Sequence, residues 1–281
     1  MTVKDKILQG RTYLGIELGS TRIKAVLIDD SFSVIASGSK QWENRFENGC
    51  WTYSLDDIHG GIQACYKDLA ENVKAQYGIY PETYGAMGIS AMMHGYMAFD
   101  KNDKLLVPFR TWRNTMTAQA AGELTKLLGF NIPQRWSIAH LYQAVLNKEA
   151  HVPYIAYINT LAGYVHKRLT DRFEVGVGEA SGIFPVEGIG YKKEYCEPTE
   201  KSLAEKGFVH KLKDILPAVR NAGEKGAVLT EEGARFLDPE GRLKAGVPVC
   251  PPEGDAGTGM VATDSVCLLY TSDAADDLTR V

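Results

Sequence analysis

Three short clusters in this 281-residue sequence carry side chains able to do chemistry, and each is set among glycines. The first is Gly15-Ile16-Glu17-Leu18-Gly19-Ser20-Thr21-Arg22-Ile23-Lys24. A carboxylate at a strand end faces a Gly-Ser-Thr turn, where glycine lets backbone N–H groups approach an anion closely and Ser20 and Thr21 add hydroxyl donors. Glu17 suits a hydrated Mg²⁺, a hard cation that prefers oxygen ligands, and Arg22 or Lys24 suits phosphate charge. Read alone, the same residues also make an ordinary hairpin with a surface carboxylate. The second cluster is Ser90-Ala91-Met92-Met93-His94-Gly95-Tyr96-Met97. A histidine just past a strand sits where α/β sheets place ligand contacts, and its imidazole can exchange hydrogen bonds with a hydroxyl-rich ligand; a structural histidine is the alternative. Trp112-Arg113-Asn114 adds an aromatic platform and two polar groups of the kind sugar pockets use, or else a buried Trp beside a surface Arg. The third cluster is Pro251-Pro252-Glu253-Gly254-Asp255-Ala256-Gly257-Thr258-Gly259-Met260. Asp255, with little bulk around it, suits a general base reaching a substrate hydroxyl, or a capping residue in a Gly-rich turn.

These clusters need a scaffold, and the apolar patterning supplies one. Strands are expected over 13–18, 23–29 and 34–37, an antiparallel meander whose first turn is Gly19-Ser20-Thr21. A helix follows, capped by Ser54 with Asp57 as its capping-box partner. Leu55, Ile58, Ile62, Tyr66, Leu69 and Val73 form its apolar stripe, and Gly78 and Pro81 stop it. Strands over 84–91 and 96–100 come next. Helices are expected over 117–128 (ended by Gly129), 140–149, 161–169 (capped by Asn159 or Thr160) and 203–216, with a short strand at 247–249. This order gives an α/β layer arrangement with a mixed sheet.

Composition narrows the function classes. Hydrophobic residues make up 44% and charged residues 23%, as in an ordinary globular chain. The 31 Lys+Arg against 35 Asp+Glu leave a formal charge of −4, so a broad phosphate-binding face is not expected and nucleic acid is a poor partner. No stretch approaches the ~18 apolar residues of a spanning helix, and residues 1–11 read as a polar N-terminal extension rather than a leader or membrane anchor. The five cysteines, Cys50, Cys65, Cys196, Cys250 and Cys267, form no CxxC pair and read as buried or incidental thiols of a cytoplasmic protein.

Taken together and in this order, the clusters resemble the FGGY carbohydrate kinases, most closely xylulokinase-like members. Gly15 to Thr21 is similar to that family's Gly-Ile-Asp-x-Gly-(Ser/Thr)-(Thr/Ser) hairpin, and Met92-Met93-His94-Gly95 to its Gln-Met-His-Gly. Phe99 to Asn114 is similar to its Trp-x-(Asp/Asn) segment. Leu169-Thr170 through Gly178-Glu179-Ala180-Ser181-Gly182 is similar to its Leu-Thr-Gly and Ala-Ser-Gly loop, and Glu253-Gly254-Asp255 to its Gly-Gly-Asp loop. The resemblance implies an actin-like ATPase (ribonuclease H-like) α/β domain with a mixed five-stranded sheet, the N-terminal half of the kinase. It implies ATP and Mg²⁺, and transfer of a phosphoryl group to a hydroxyl of a ketose or polyol. Asp255 is then the catalytic base; Gly19, Ser20, Thr21 and Arg22 cradle phosphates; Met93, His94, Trp112, Arg113, Asn114 and Asp255 hold the sugar; Glu17 and Asp255 orient the metal. A nucleotide-dependent chaperone or cytoskeletal relative of the same fold, or a non-catalytic sugar-binding domain, are the alternatives, and a homodimer of the full-length protein stays open.

Two departures stand out. Glu17 replaces the usual Asp, moving the oxygens by about 1.5 Å, and Met92 replaces the Gln, removing an amide from the pocket. The expected domain runs over 12–266, and 267–281 matches nothing the family places there and reads as a non-native tail. With about half the family length, the fragment is expected to lack the C-terminal ATP-binding domain and to be inactive alone.

Overall fold

The structure, a computed structural model, describes residues 1–224 and 226–263; the expected domain end at 266, the tail over 267–281 and Cys267 lie outside them. The first eleven residues are not a bare extension. Thr2 and Asp5 form a capping box for α1 (Val3–Leu8), Ile7 is buried in the core, and Lys6 reaches Asp29 at 2.8 Å and Asp30 at 2.6 Å. Six residues are too few for a helical stripe to stand out in sequence.

β1 (Thr12–Leu18), β2 (Arg22–Asp29) and β3 (Val34–Gln41) form the expected antiparallel meander. The β1–β2 register sets Glu17 opposite Lys24 and Leu18 opposite Ile23. A small hairpin, β4 (Arg45–Glu47) and β5 (Cys50–Thr52), leads into α2 (Leu55–Tyr77). Ser54 and Asp57 make the expected capping box, and Gly78 ends the helix in the left-handed region. Ile58, Ile62, Tyr66, Leu69 and Val73 are buried against the sheet. Gly38 sets the spacing of that packing: a Cβ there would lie 2.4 Å from the Leu69 amide nitrogen.

The chain then returns as β6 (Ala86–Ala91), parallel to β1. β7 (Met97–Phe99) pairs with β8 (Tyr157–Asn159) around α3 (Ala118–Leu128) and α4 (Ser137–Leu146). Next come α5 (Leu161–Thr170), capped by Thr160, β9 (Glu174–Gly176), the single turn α6 (Val177–Ala180), and the hairpin β10 (Val186–Glu187) and β11 (Gly190–Tyr191). The helix expected over 203–216 is instead two, α7 (Lys193–Glu205) and α8 (Leu212–Ile215). Gly207, at φ +94°, takes a conformation that ends α7 and that a helix interior excludes. β12 (Ala218–Arg220), β13 (Ala227–Val228) and α9 (Glu231–Leu237) lead to β14 (Pro248–Val249), β15 (Glu253–Gly254) and α10 (Asp255–Ala262).

The main sheet is mixed, as expected, but has seven strands rather than five, ordered β13-β14-β6-β1-β2-β3 with β15 also on β6. Of its three two-residue strands, β14 is the one expected over 247–249, while β13 and β15 are too short for alternation to reveal. Two hydrophobic cores result: one between sheet, α2, α5 and α9, the other among α3, α4 and α7. Among the described residues no helix is long and apolar enough to cross a membrane, and Cys50 and Cys65 are buried free thiols while Cys250 is exposed.

Candidate active site

Three adjacent parallel strands bring the first and third clusters into one row. Glu17 on β1 aligns with Ser90 on β6, and Ser90 aligns with Glu253 on β15. One residue on, Gly254 aligns with Ala91 and the chain turns into α10, with Asp255 at its first position. Glu17, Lys24, Ser90, Glu253, Asp255 and Thr258 line a single open cavity of about 570 Å³. Ser90 Oγ and Thr258 Oγ1, 2.9 Å apart, tie α10 to β6.

Asp255 faces the cavity with its carboxylate steadied on one side only. Its Oδ1 accepts from the Met93 amide at 3.1 Å and from the Ala256 amide at 3.0 Å. Desolvation by the surrounding protein and, beyond those two hydrogen bonds, the negative charge of Glu17 raise its carboxyl above the ordinary aspartate range. The Gly-Asp loop leaves no space for a larger residue before it. A Cβ on Gly254 would lie 2.1 Å from Met93 Cγ and 2.8 Å from Glu179 Oε2. Gly254→Ala is therefore expected to cost about 1–3 kcal/mol by overpacking, read as a lower urea midpoint with displacement of the Met93 amide resonance; an unchanged midpoint would show that the loop has slack.

The Gly-Ser-Thr turn is braced from beneath. Trp42 Nε1 donates to the Gly19 carbonyl at 2.7 Å and the Tyr53 hydroxyl to the Ser20 carbonyl at 2.5 Å, and the two rings stack at 4.1 Å. Thr21 and Arg22 are exposed at its tip. Trp112 Nε1 lies 3.3 Å from Ser20 Oγ, so the Trp112 loop borders the turn. Arg113 packs its guanidinium 3.7 Å over the Trp51 ring. Asn114 is buried, and its amide is taken by the Trp51 amide at 2.9 Å, the Trp51 carbonyl at 2.8 Å and the Thr111 carbonyl at 3.0 Å; it is a strut of the loop. Met92 is buried in the core. His94 and Gly95 both hold positive φ, +68° and +93°. The His94 ring lies against Gly182, where a Cβ would come 2.6 Å from Nδ1.

Two carboxylates at this site escape sequence reasoning as functional groups. Glu253 accepts from the Glu179 amide at 3.1 Å and occupies the space over Gly176 and Gly178; burial raises its carboxyl. Glu179, on α6, is fully buried, and neither carboxyl oxygen meets hydrogen-bond geometry. Burial pushes its carboxyl up to about 8; the nearby Thr160 hydroxyl offsets this in part, and the charges of Asp255 and Glu253 add to it. The available signal is a glutamate inside a run of glycine, alanine and serine, where small neighbours leave room for other groups.

A family profile described as "FGGY family of carbohydrate kinases, N-terminal domain" matches residues 12–262. A xylulose kinase from Haemophilus influenzae is 25% identical over 268 residues, 90% of this chain and 52% of that enzyme, so the chain spans about half its length. Among solved structures, a ligand-bound xylulose kinase from Lactobacillus acidophilus superposes with a TM-score of 0.68 at 18% identity, covering 90% of this chain and 50% of that one. A glycerol kinase from Plasmodium falciparum with ADP gives 0.69 at 14% identity, covering 90% and 50%. The fold is thus that of these kinases, and the expected actin-like α/β class holds.

Proposed function

Because this chain belongs to the FGGY family of carbohydrate kinases and corresponds to the N-terminal domain, we propose that it supplies the acceptor-side wall of a kinase that phosphorylates a hydroxyl of a ketose or polyol with ATP. The observation that carries the reading is Asp255 at the head of α10, lining one cavity with Glu17 and bonded to the Met93 amide beside His94. In this reading Asp255 accepts the proton of the attacking hydroxyl. A carboxylate raised above the ordinary range is the stronger base. In this reading Met93 and His94 border the sugar, and Trp112 and Arg113 contact it from the loop that borders the Gly-Ser-Thr turn. Asn114 contributes by holding the Trp112 loop. Gly19, Ser20, Thr21 and Arg22 form the turn that meets the phosphates. Phosphoryl transfer asks a protein chiefly for positioning and charge stabilisation, and these residues supply both.

The donor set fits Mg²⁺ held largely through water: two carboxylates, Glu17 and Asp255, share the cavity, and among the described residues no three His, Cys, Asp or Glu side chains converge as a closed metal cage. When bound, the ion would neutralise phosphate charge.

Closing a second wall over the substrates is what keeps water from the phosphoryl group. The chain alone is accordingly expected to bind sugar weakly and to release no appreciable ADP from ATP with sugar. Thermal shift with xylulose, gluconate and glycerol, followed by a coupled ADP assay, checks both. Turnover at an ordinary kinase rate would overturn the division of labour, and a shift with ATP but with none of the sugars would favour a nucleotide-dependent relative of the fold. We place the protein in the cytoplasm on the same family reasoning.

A further inference from the structure

The two loops proposed to hold the sugar are joined beneath the site. Tyr96 and Arg110 form an isolated antiparallel bridge, with N–H···O bonds of 2.8 and 3.1 Å in the two directions. Tyr96 stands two residues after His94, and Arg110 two before Trp112. The Arg110 side chain turns inward, 8% exposed. It pairs with the carboxylate of Glu149 and lies 5.4 Å from the centre of the Tyr96 ring. The circuit closes through His151. Its Nε2 is 2.9 Å from the Tyr96 hydroxyl and its Nδ1 is 3.5 Å from the Glu149 carboxylate, so a tautomer protonated at Nδ1 suits both neighbours. The His140 ring stacks on Tyr96 at 6.0 Å between centroids. Burial, with the charge of Arg110, keeps that imidazole neutral. The α4 segment grips the bridge at both ends: Ser137 Oγ donates to the Gly95 carbonyl at 2.6 Å at its start, and Glu149 follows its end.

The Arg110 side chain is 10% exposed and that of Glu149 23%, and an ion pair drawn this far out of water is a poor stabiliser, since the cost of desolvation offsets much of the attraction. Here Arg110 Nη1 is also buried without a partner. What such a pair supplies well is a fixed location. We infer that Arg110, held by Glu149, is a positioning residue for the sugar acceptor: it locks the bridge to Tyr96 and so fixes where His94 and Trp112 stand relative to each other. The inference rests on the reading of those two loops as the sugar site.

The test compares the parent chain with R110M, E149L, the double variant R110M/E149L, and R110K. E149L leaves the buried Arg110 charge alone and R110M leaves a half-buried Glu149 carboxylate alone; each is expected to lower the melting temperature, E149L the more. The double variant, apolar on both sides, is expected to keep it within a few degrees. At that matched stability, amide exchange at Gly95, Tyr96, Thr111 and Asn114 is expected to quicken at least tenfold in the double variant while the β1–β2 amides stay protected. Its affinity for whichever of xylulose, gluconate or glycerol the parent binds is expected to fall at least tenfold. R110K, which keeps the charge, is expected to fall between. Parent-like exchange at those four amides in the stable double variant would overturn the inference. If the double variant also loses stability, R110K decides: parent-like exchange there overturns the inference, and quickening confined to the four amides sustains it. Failure of the parent to bind any of the sugars would instead count against the proposed function, with the exchange result still deciding the role of Arg110.

Discussion

Asp255→Asn, carried in the protein completed to the length of its relatives, is expected to lower kcat by about 10²–10⁴-fold, the usual worth of a positioned general base. The substitution isolates the proton-accepting step. The asparagine carbonyl oxygen can still accept from the Met93 and Ala256 amides that now bond Oδ1, so the loop and the melting temperature should stay close to the parent, and KM for the sugar should move little. Initial-rate kinetics with the parent's best sugar measure it. A loss below tenfold would remove Asp255 from the role of base. In the parent, the fall in rate on the acid side should begin above the pH at which an ordinary aspartate protonates, because burial and Glu17 raise this carboxyl.

The second large effect is a gain in stability. Glu179 lies fully buried behind Gly254, and its carboxyl is pushed from an ordinary 4.5 up to about 8. The unfolded chain ionises this group near its ordinary value, whereas the folded protein keeps it neutral until much higher pH. Stability is therefore fully present below pH ~4.5 and declines as pH rises, until the folded group ionises near 8. Each pH unit across that window is worth about 1.4 kcal/mol. Glu179→Gln mimics the neutral acid and removes the decline, so it is expected to be more stable than the parent by about 3 kcal/mol at pH 7, and by little at pH 4.5. Urea unfolding at pH 4.5, 6, 7 and 8.5 gives the comparison. Parallel curves for the two proteins would show that Glu179 is not a buried neutral acid.

Much of the frame could be read from residue order, because the forces involved are local. Ser54 and Asp57 announce α2, its stripe points the same residues at the core, and Gly19-Ser20-Thr21 marks the turn between two alternating strands. Where local signals were weak the reading failed. Nothing within 203–216 competes with a continuous helix except Gly207, whose positive φ is visible only once the chain is folded. The site shows the same division. Glu17, Met93, His94 and Asp255, the residues proposed for the site, stand out by type and by glycine neighbours. Glu179 and Arg110 do not, because a charged residue in sequence looks solvated, and burial is decided by elements arriving from elsewhere in the chain. Asn114 reads as a ligand contact by its company with Trp112, yet its amide is spent on Trp51.

The pairing of β15 with β6 also governs how the protein must be made. Met93 and Asp255, which end up bonded, are 162 residues apart. At ordinary ribosomal speeds of about 5–20 residues per second, on the order of 10–30 s separates their emergence. For that interval the β1-β2-β3 meander, α2 and β6 are already out of the tunnel, while the flank of β6 reserved for β14 and β15 has no partner. An apolar strand with a free row of backbone donors and acceptors invites pairing between nascent chains on neighbouring ribosomes. Slowing translation between β6 and β15 should therefore lower the yield of soluble protein, and supplying a holdase should raise it.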